Sequence, residues 1–421
     1  MTQSTPDTEV LPPSDIPPLL QPSAPPDSAA IVQGKAKNRL AYIDALRGTA
    51  ALWVFLTHVH AYWLGEVRPH GWNLTTFMTR IAGYGVAGVD LFIVLSGFCL
   101  FYPLVRNSHK PNLGFQTRTF YERRAFRILP AYYVALSLAA LLILSPKLQP
   151  LLVSRPIRFT DFLAYVFLMQ TFSATTIGSI NGSFWTIALE AQLYVMFPVL
   201  LWIYKRRGLK GVILAGLATS TVWGIFSKLY ISHYPSSPLA PVLDHNFPGR
   251  WIEFIAGMTA ASLVHHPRPN QSRGAVLVVL ATLPLCILSL PLRWSGTISP
   301  LVWGAGFAAV IVLLAHMPHS VYAFGKPLSL LVNLGTISYS FYLIHQPMLL
   351  LAAPLVHRWH LSIVPTFLFS LIVGVPFTAS LAYVFFICFE RPFLRSATGT
   401  FPILRLKSWF RSSRSEGSFK E

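Results

Sequence analysis

The stretch GYGVAGVDLFIVLSGFCLFYPL, residues 83–104, carries one charged side chain, that of Asp90, in 22 residues. An α-helix rises about 1.5 Å per residue, so a helix of this length spans about 30 Å, the thickness of the hydrocarbon core of a bilayer. The stretch therefore predicts a transmembrane helix.

Nine further apolar runs accompany this one: 41–64, 128–146, 184–204, 212–231, 251–265, 274–291, 299–317, 329–352 and 363–389. Most are long enough to span a bilayer, although 251–265 is short. Residues 160–173 are too short to span and are expected to form a surface or re-entrant piece. With 53% hydrophobic and 11% charged residues, the chain has too few polar side chains to coat a soluble globule. The sequence thus predicts an all-α polytopic membrane protein, a bundle of about ten transmembrane helices.

The net charge of +18 indicates membrane topology rather than nucleic-acid binding, because no soluble basic domain, zinc-ligand spacing or RNA-binding signature accompanies it. Of the 33 Lys and Arg residues, 23 lie on one set of flanks and loops and eight on the opposite set. Cytoplasmic loops carry the excess of Lys and Arg in membrane proteins. Both termini are therefore predicted to be cytoplasmic, and a multi-pass location in the plasma (cytoplasmic) membrane is expected.

The composition divides the chain into three segments. Residues 1–38 hold eight prolines and are predicted to form a disordered cytoplasmic tail. Residues 39–393 form the predicted membrane domain, and residues 394–421 form a basic cytoplasmic tail. No signal peptide is expected, because the first apolar stretch is long and carries Asp44 and Arg47.

Two ionisable side chains lie inside the first apolar run, where a charge costs several kcal/mol unless it is paired or hydrated. Arg47 and His58 are eleven residues apart. At about 100° per residue they lie within about 20° of the same helix face and about 16 Å apart along the axis. In the predicted orientation Arg47 lies toward the cytoplasmic end and His58 in the outer half of the membrane.

Three more polar residues fall in the outer halves of their runs: Asp90, Glu190 and His345. Their similar depth predicts one polar pocket that also contains His58. Desolvation favours a neutral imidazole and a neighbouring carboxylate orients it, which is the arrangement that a general base needs.

Each of these residues also has a structural interpretation that the sequence leaves open, although a functional role is favoured for Glu190. His58 is equally compatible with a packing hydrogen bond between helices. Asp90 lies near a helix N-terminus, where a carboxylate caps backbone amides, and a structural role is favoured there. His345 precedes Pro347, so it is at least as compatible with a hydrogen bond that serves a kink.

Four arginines precede the third predicted helix: Arg118, Arg123, Arg124 and Arg127. Arg124 and Arg127 are at i and i+3, on one helix face. Guanidinium groups match phosphate oxygens, so the cluster suits a phosphorylated cofactor that approaches from the cytosol. Anchoring of a cytoplasmic loop is the simpler alternative, and the sequence alone favours it.

Six segments between residues 39 and 393 resemble, in this order, the motifs of acyltransferase family 3, the integral-membrane O-acyltransferases of surface glycans and related acceptors. They are LAYIDALRGTAALWVFLTHVH with its Arg-x10-His motif, GVDLFIVLSGF, YERRAFRILPAYY, SFWTIALEAQLYVMFP, ISYSFYLIHQP and FERPF. They cover nearly the whole predicted membrane domain.

The resemblance implies transfer of an acyl group, most often acetyl from acetyl-CoA, to a hydroxyl of a glycan, glycolipid or similar glycoside. It implies that His58 is the base or acyl-relay residue and Arg47 its motif partner. It also implies that Glu190 is a pocket carboxylate, and Asp90 completes the candidate catalytic set.

The same resemblance assigns Arg124 and Arg127, with Arg123 beside them, to the acyl-CoA. Acyl-CoA is expected as a donor substrate rather than a permanently bound cofactor, and no metal or nucleic acid is expected. Many family members end in a soluble hydrolase-like domain, and this sequence is expected to lack one because only basic, Ser-rich residues follow Pro392.

A proton-coupled transporter or exporter of a glycan or lipid is the alternative from another class, with the buried histidines and carboxylates relaying protons. The sequence shows no internal repeat and no inverted pair of interrupted helices, which disfavours it. A purely structural scaffold would leave the polar residues of the outer halves without a purpose.

Overall fold

The computed structural model describes residues 28–64, 73–107, 115–289, 298–317 and 325–396, and these residues contain helices and no strands. The α-helices are α1 Ser28–Val59, α2 Leu74–Gly83, α3 Ala87–Arg106, α4 Thr117–Ile143, α5 Gln149–Leu152, α6 Phe159–Val166, α7 Trp185–His233, α8 Phe247–His265, α9 Gln271–Ser289, α10 Ile298–His316, α11 Gly325–Thr336, α12 Ser338–Arg358, α13 Ile363–Phe369, α14 Val375–Phe385 and α15 Arg391–Ser396. Short π-helical turns continue α1 to Leu64 and join α13, α14 and α15 end to end.

The described parts of the ten predicted runs are largely helical, but the run 329–352 is divided at Ile337 between α11 and α12. The 49-residue α7 contains two of the runs, and it is interrupted at Gly208, whose φ of 64° favours glycine. Within the described part of the chain, seven helical segments are long and apolar enough to cross a membrane: Leu74–Arg106, Thr117–Ile143, Gly182–His233, Gln271–Ser289, Ile298–His316, Ser338–Arg358 and Ile363–Leu394. The count of about ten and the side on which the termini lie stay predictions.

The predicted domain boundaries fall partly outside the described residues. Residues 1–27 and 397–421 are not described, so most of both predicted tails lies there. Helix α1 begins at Ser28, inside the predicted tail 1–38, and α15 ends at Ser396. The segment 160–173, judged too short to span, holds the eight-residue α6 and a single 3₁₀ turn.

Glycines bring helices α3 and α8 into close contact. A Cβ atom on Gly97 would lie 2.0 Å from the backbone oxygen of Phe254, and one on Gly257 would lie 1.9 Å from that of Val94. Since small residues allow helix backbones in membranes to approach closely, this reciprocal pair fixes where the two helices cross. Gly48 of α1 and Gly335 of α11 make a similar reciprocal contact.

Helices α1 and α12 pack through a smaller apolar cluster that includes Phe55 and Phe341, both buried. Their ring centroids lie 5.6 Å apart. His58 lies three residues after Phe55 and His345 four residues after Phe341, so each histidine is about one helical turn from the packed rings. This packing brings the two histidines together across the interface between α1 and α12.

Candidate functional site

A cavity with an empty volume of about 1100 Å³, partly open to solvent, lies among α1, α3, α4, α7 and α12. Its charged lining residues are Arg47, Arg124, Arg127 and Glu190, all of which the sequence had singled out. The uncharged polar side chains in the wall are Ser96, Cys99, Thr186, Tyr194, Ser338, Tyr339 and Tyr342. The remaining lining residues are apolar, as is usual for small-molecule sites with a few oriented polar groups.

The positive charges of the cavity exceed the negative ones. Arg47 of α1 forms an ion pair with Asp44, one turn earlier, at 3.3 Å, and its other terminal nitrogen lies 3.3 Å from Cys99 Sγ. Among the described residues, neither Arg124 nor Arg127 forms an ion pair with a carboxylate. Asp44 and Glu390 interact with Arg127 electrostatically without a direct contact, so both guanidinium groups keep their hydrogen-bond donors for an anionic ligand.

Aromatic rings hold Arg124 in position. Its guanidinium carbon lies 5.9 Å from the ring centroid of Phe120 and 5.7 Å from that of Tyr194, within the range of cation–π attraction. Its Nε is buried and has no hydrogen-bond partner. Arg123, the third predicted acyl-CoA residue, is exposed and does not line the cavity.

Hydroxyl groups satisfy Glu190 of α7. Its carboxylate accepts hydrogen bonds from Tyr194, one turn later on the same helix, and from Ser96 of α3 at 3.2 Å. No arginine of the described chain lies within ion-pair distance of it. Glu190 therefore lies in the wall bonded to hydroxyl groups and makes no direct ion pair with the arginines.

His58 and His345 form a hydrogen-bonded pair whose tautomers follow from their neighbours. His345 Nδ1 lies 2.6 Å from the backbone oxygen of Tyr342, and since a carbonyl only accepts, Nδ1 carries the proton and Nε2 is an acceptor in the neutral ring. His58 Nδ1 lies 3.0 Å from the Val54 carbonyl oxygen and 3.2 Å from His345 Nε2. The His58 Nδ1–H therefore donates to both, and the lone pair of His58 falls on Nε2.

The free nitrogen of His58 is suited to accept a proton. His58 Nε2 bonds no described residue and is not fully enclosed by protein atoms. Tyr342 lies beside both parts of the site, because it lines the cavity and its ring centroid is 5.2 Å from that of His345. His58 itself does not line the cavity.

Amide and hydroxyl side chains continue from the histidine pair. Tyr62, one turn after His58, stacks on it with ring centroids 5.5 Å apart and accepts a hydrogen bond of 2.7 Å from Gln346 Nε2. Gln346 Oε1 in turn accepts from the backbone N–H of Ser183, at the start of the α7 segment. This side of the pair thus presents groups that both donate and accept hydrogen bonds, as hydroxyl ligands require.

Asp90 lies away from the cavity and the histidine pair. Its carboxylate accepts from Arg250 of α8, whose same nitrogen lies 2.7 Å from Glu253. Asp90 and Glu253 are both buried, and no side-chain hydrogen bond caps the N-terminus of α3. The four residues predicted to share one pocket are therefore distributed over three places: the histidine pair, the cavity wall with Glu190, and the α3–α8 interface with Asp90.

Several residues of these sites were not singled out from the sequence. Arg250 and Glu253 lie at i and i+3 around the start of the predicted run 251–265, and Glu253 inside an apolar run was a signal that pointed to a buried pair. Tyr194 and Tyr342 had no comparable signal, because aromatic residues are common in apolar helices. Only the packing of the helices shows that their hydroxyls reach the site.

Comparisons with known proteins agree with the resemblance that the motifs carry. The model of acyltransferase family 3, described as an acyltransferase domain, matches residues 40–386. Peptidoglycan O-acetyltransferase OatA of Listeria monocytogenes is 24% identical over 74% of this chain and 50% of that protein. Acyltransferase MdmB of Streptomyces mycarofaciens is 26% identical over 73% of this chain and 78% of that protein. Nodulation protein 10 of Rhizobium leguminosarum is 25% identical over 70% of this chain and 83% of that protein.

The comparisons differ in how much of each relative they cover. The chain spans about half the length of the Listeria acetyltransferase and of other curated relatives that it matches. No solved structure matches the chain.

Proposed function

Because the chain belongs to acyltransferase family 3, we propose that it is a membrane O-acyltransferase that moves an acyl group, acetyl above all, from acyl-CoA to a hydroxyl of a glycan, glycolipid or similar glycoside. The similarity to the Listeria relative, a peptidoglycan O-acetyltransferase, supports this class of acceptor. The seven apolar helices and the family make it an integral membrane protein. We further propose about ten crossings in the plasma membrane, with both termini in the cytoplasm.

The observation that carries the proposal is the cavity with its unpaired arginines. Arg124 and Arg127 line an empty volume of about 1100 Å³, and neither makes a direct ion pair with a carboxylate of the described chain. Paired phosphate groups of a CoA suit two such guanidinium groups, which bind phosphate with fixed geometry. Anchoring of a cytoplasmic loop, the simpler interpretation, does not explain why these side chains line a cavity.

The apolar part of the cavity fits the arm of the donor. Its wall includes Val89, Phe92 and Ile93 of α3 and Ile187 and Leu189 of α7. Arg47 and His58 lie about 16 Å apart along α1, a distance that a pantetheine arm can bridge. The thioester then lies near Tyr342 and the histidine pair.

The proposed reaction uses His58 as a general base. Its Nε2 takes the proton of the acceptor hydroxyl while the hydroxyl oxygen attacks the thioester carbonyl carbon, forming the new C–O bond. The C–S bond then breaks and the sulfur of CoA leaves as a thiolate, which takes the proton from the imidazolium. The products are the acyl ester and free CoA thiol, so atoms and charge balance.

The other residues have supporting roles in this proposal. Glu190 orders the side chains of Ser96 and Tyr194 in the cavity wall through its hydrogen bonds. Asp90 holds α3 to α8 through Arg250 and does not touch the reacting groups. Arg123 remains on the surface of the cluster, where it attracts the anionic donor over a longer range.

A turnover assay tests the proposal. The purified full chain, reconstituted in lipid, is mixed with acetyl-CoA and a panel of glycoside acceptors, and free thiol is measured together with the mass of the acceptor. We expect thiol release that depends on the acceptor, an added acetyl mass, and a loss on the order of 10²- to 10⁴-fold in His58→Ala. Acceptor movement across the membrane without thiol release would support a transporter and would overturn the proposal.

A further inference from the structure

A second large groove lies between α7, α8, α9 and α10, and neither His58 nor His345 lines it. Its empty volume is about 1280 Å³, and it shares no lining residue with the arginine cavity. Almost all of its wall is apolar, including Leu217, Ile252 and Leu263. The groove is therefore a separate site with a different chemical character.

Small residues keep this groove open. The facing surfaces of α8 and α10 carry Ala256, Ala260, Ala305, Ala308 and Ala309 in the lining. Helix α9 packs chiefly against α10, and many of its large apolar side chains are exposed. In an integral membrane protein this exposed surface faces lipid, so the groove opens to acyl chains of the bilayer.

The polar lining of the groove is concentrated at one end. The loop before α9 and its first turn contribute Arg268, Asn270 and Gln271, and Arg273 lies on the same turn. Both arginines are exposed, and neither forms an ion pair with a carboxylate of the described chain. The loop 266–273 belongs to the Lys- and Arg-rich set of loops predicted to be cytoplasmic.

We propose that this groove binds one glycerophospholipid with an anionic headgroup, whose acyl chain lies along the alanine-lined wall and whose phosphate lies at Arg268. Charge complementarity selects this occupant, because an apolar slot that ends in unpaired arginines matches a chain with a phosphate at its end. The cytoplasmic leaflet supplies anionic lipids on the side where the loop is predicted to lie. The proposed acyl-CoA donor is assigned to the arginine cavity, which shares no lining residue with this groove.

Two variants change the site at its two ends. A Cβ on Gly274, at the mouth, would meet no atom within 4 Å, so Gly274→Leu fills the mouth without a backbone clash. Arg268→Gln removes the charge from an exposed side chain. Gly83→Leu is the matched control for the first, because a Cβ there also meets nothing within 4 Å, and Arg207→Gln, another exposed arginine of the predicted cytoplasmic face, is the control for the second.

Native mass spectrometry of the full chain in mild detergent measures the binding. The protein is incubated with phosphatidylglycerol or with phosphatidylcholine of the same acyl chains. We expect one retained phosphatidylglycerol, a loss of about fivefold in Arg268→Gln, which corresponds to one basic contact, a greater loss in Gly274→Leu, and no change in either control.

Equal retention of the two lipids, or retention unaffected by Gly274→Leu and Arg268→Gln, would overturn the proposal. Lipid retention needs no acyl transfer, so this result is independent of whether the proposed enzyme activity is found.

Discussion

The histidine pair, His58 and His345, shows which features of the site can be predicted from the sequence and which cannot. The sequence placed Arg47 and His58 on one stripe of a helix, and the structure has both on α1, with Arg47 lining the cavity. His345 lies 287 positions from His58, and no local pattern predicts that its Nε2 accepts from His58 Nδ1. Sequence reasoning finds residues that share an element, whereas a pairing between elements depends on how α1 packs against α12.

Removal of the acceptor on His345 is predicted to impair turnover more than donor binding. His345→Phe keeps the size of the ring but leaves the His58 Nδ1–H with only the Val54 carbonyl, so the ring of His58 is less firmly held. We expect a loss of at least about tenfold in kcat with little change in the affinity for acetyl-CoA.

His345→Gln is the informative control for this loss, because its side-chain oxygen restores an acceptor near the position of Nε2. It is expected to recover part of the activity lost in His345→Phe. A His345→Gln enzyme as slow as His345→Phe, with the same folded fraction, would contradict a positioning role.

The ion pair between Asp161 and Arg155 is expected to stabilise the fold to an extent that depends on pH. The Arg155 guanidinium, at 2.8 Å from both carboxylate oxygens, holds the pKa of Asp161 below its usual value, and the Arg158 backbone N–H adds to this. Because the folded pKa is depressed, the stabilisation is fully present above the unfolded value of about 3.9 and is lost as the pH falls through the folded value.

The variant Asp161→Asn tests this contribution. It is expected to be less stable than the wild type by about 1.5–3 kcal/mol near neutral pH, as for hydrogen bonds to charged groups. Thermal unfolding at about pH 7 and at about pH 3.5 measures the difference, which should shrink at the lower pH. If the stability difference between the wild type and Asp161→Asn were the same at both pH values, the charge of Asp161 would not be the source of the stabilisation.

At the scale of helices, the sequence predicts positions well and contacts poorly. The apolar runs coincide with helices because a bilayer requires every backbone group to bond within its own segment, which is a local property. The break of α7 at Gly208 was anticipated only as a loop between two runs. Small residues such as Gly97 and Gly257 decide which helices come into contact. A glycine in a membrane helix does not by itself predict which other helix packs against it.

Gly257→Ala is predicted to push α8 away from α3. The new Cβ would lie 1.9 Å from the Val94 backbone oxygen, so one helix must shift, at a cost of about 1–3 kcal/mol or more for an overpacked contact. Thermal unfolding in detergent measures the loss. Gly83→Ala, with open space around its Cβ, serves as the control, and equal melting temperatures for the two variants would contradict the close crossing.

The ion cluster of Asp90, Arg250 and Glu253 at the α3–α8 interface is predicted to depend on Arg250 for its stability. Arg250→Met leaves the buried carboxylates of Asp90 and Glu253 without their cation, and the loss of a buried partner costs about 3–5 kcal/mol. The triple variant Asp90→Asn, Arg250→Met, Glu253→Gln removes the charges together and is expected to be more stable than Arg250→Met. If Arg250→Met unfolds at the wild-type temperature, the cluster does not support the interface.

At the scale of the whole molecule, the site joins two ends of one bundle. Arg124 and Arg127 lie near the start of α4, in a region that the charge distribution predicts to be cytoplasmic, and His58 lies about 16 Å along α1 from Arg47. The loop charges and the depths of the polar residues predicted this arrangement, with the arginines toward the cytoplasm and His58 farther into the membrane. The sequence placed Asp90 in the same pocket, because depth alone does not show which face of a helix meets which neighbour.

Calorimetry of acetyl-CoA binding to the purified full chain tests the central claim most directly. It compares the wild type with the double variant Arg124→Gln, Arg127→Gln and with His58→Ala. The matched control is Arg118→Gln, because Arg118 is an exposed arginine at the start of the same helix, α4, and pairs with Glu122. The account predicts that the wild type, His58→Ala and Arg118→Gln bind alike, while the double variant binds at least about tenfold more weakly. No measurable affinity in the wild type, or unchanged affinity in the double variant, would contradict an acyl-CoA site in the arginine cavity.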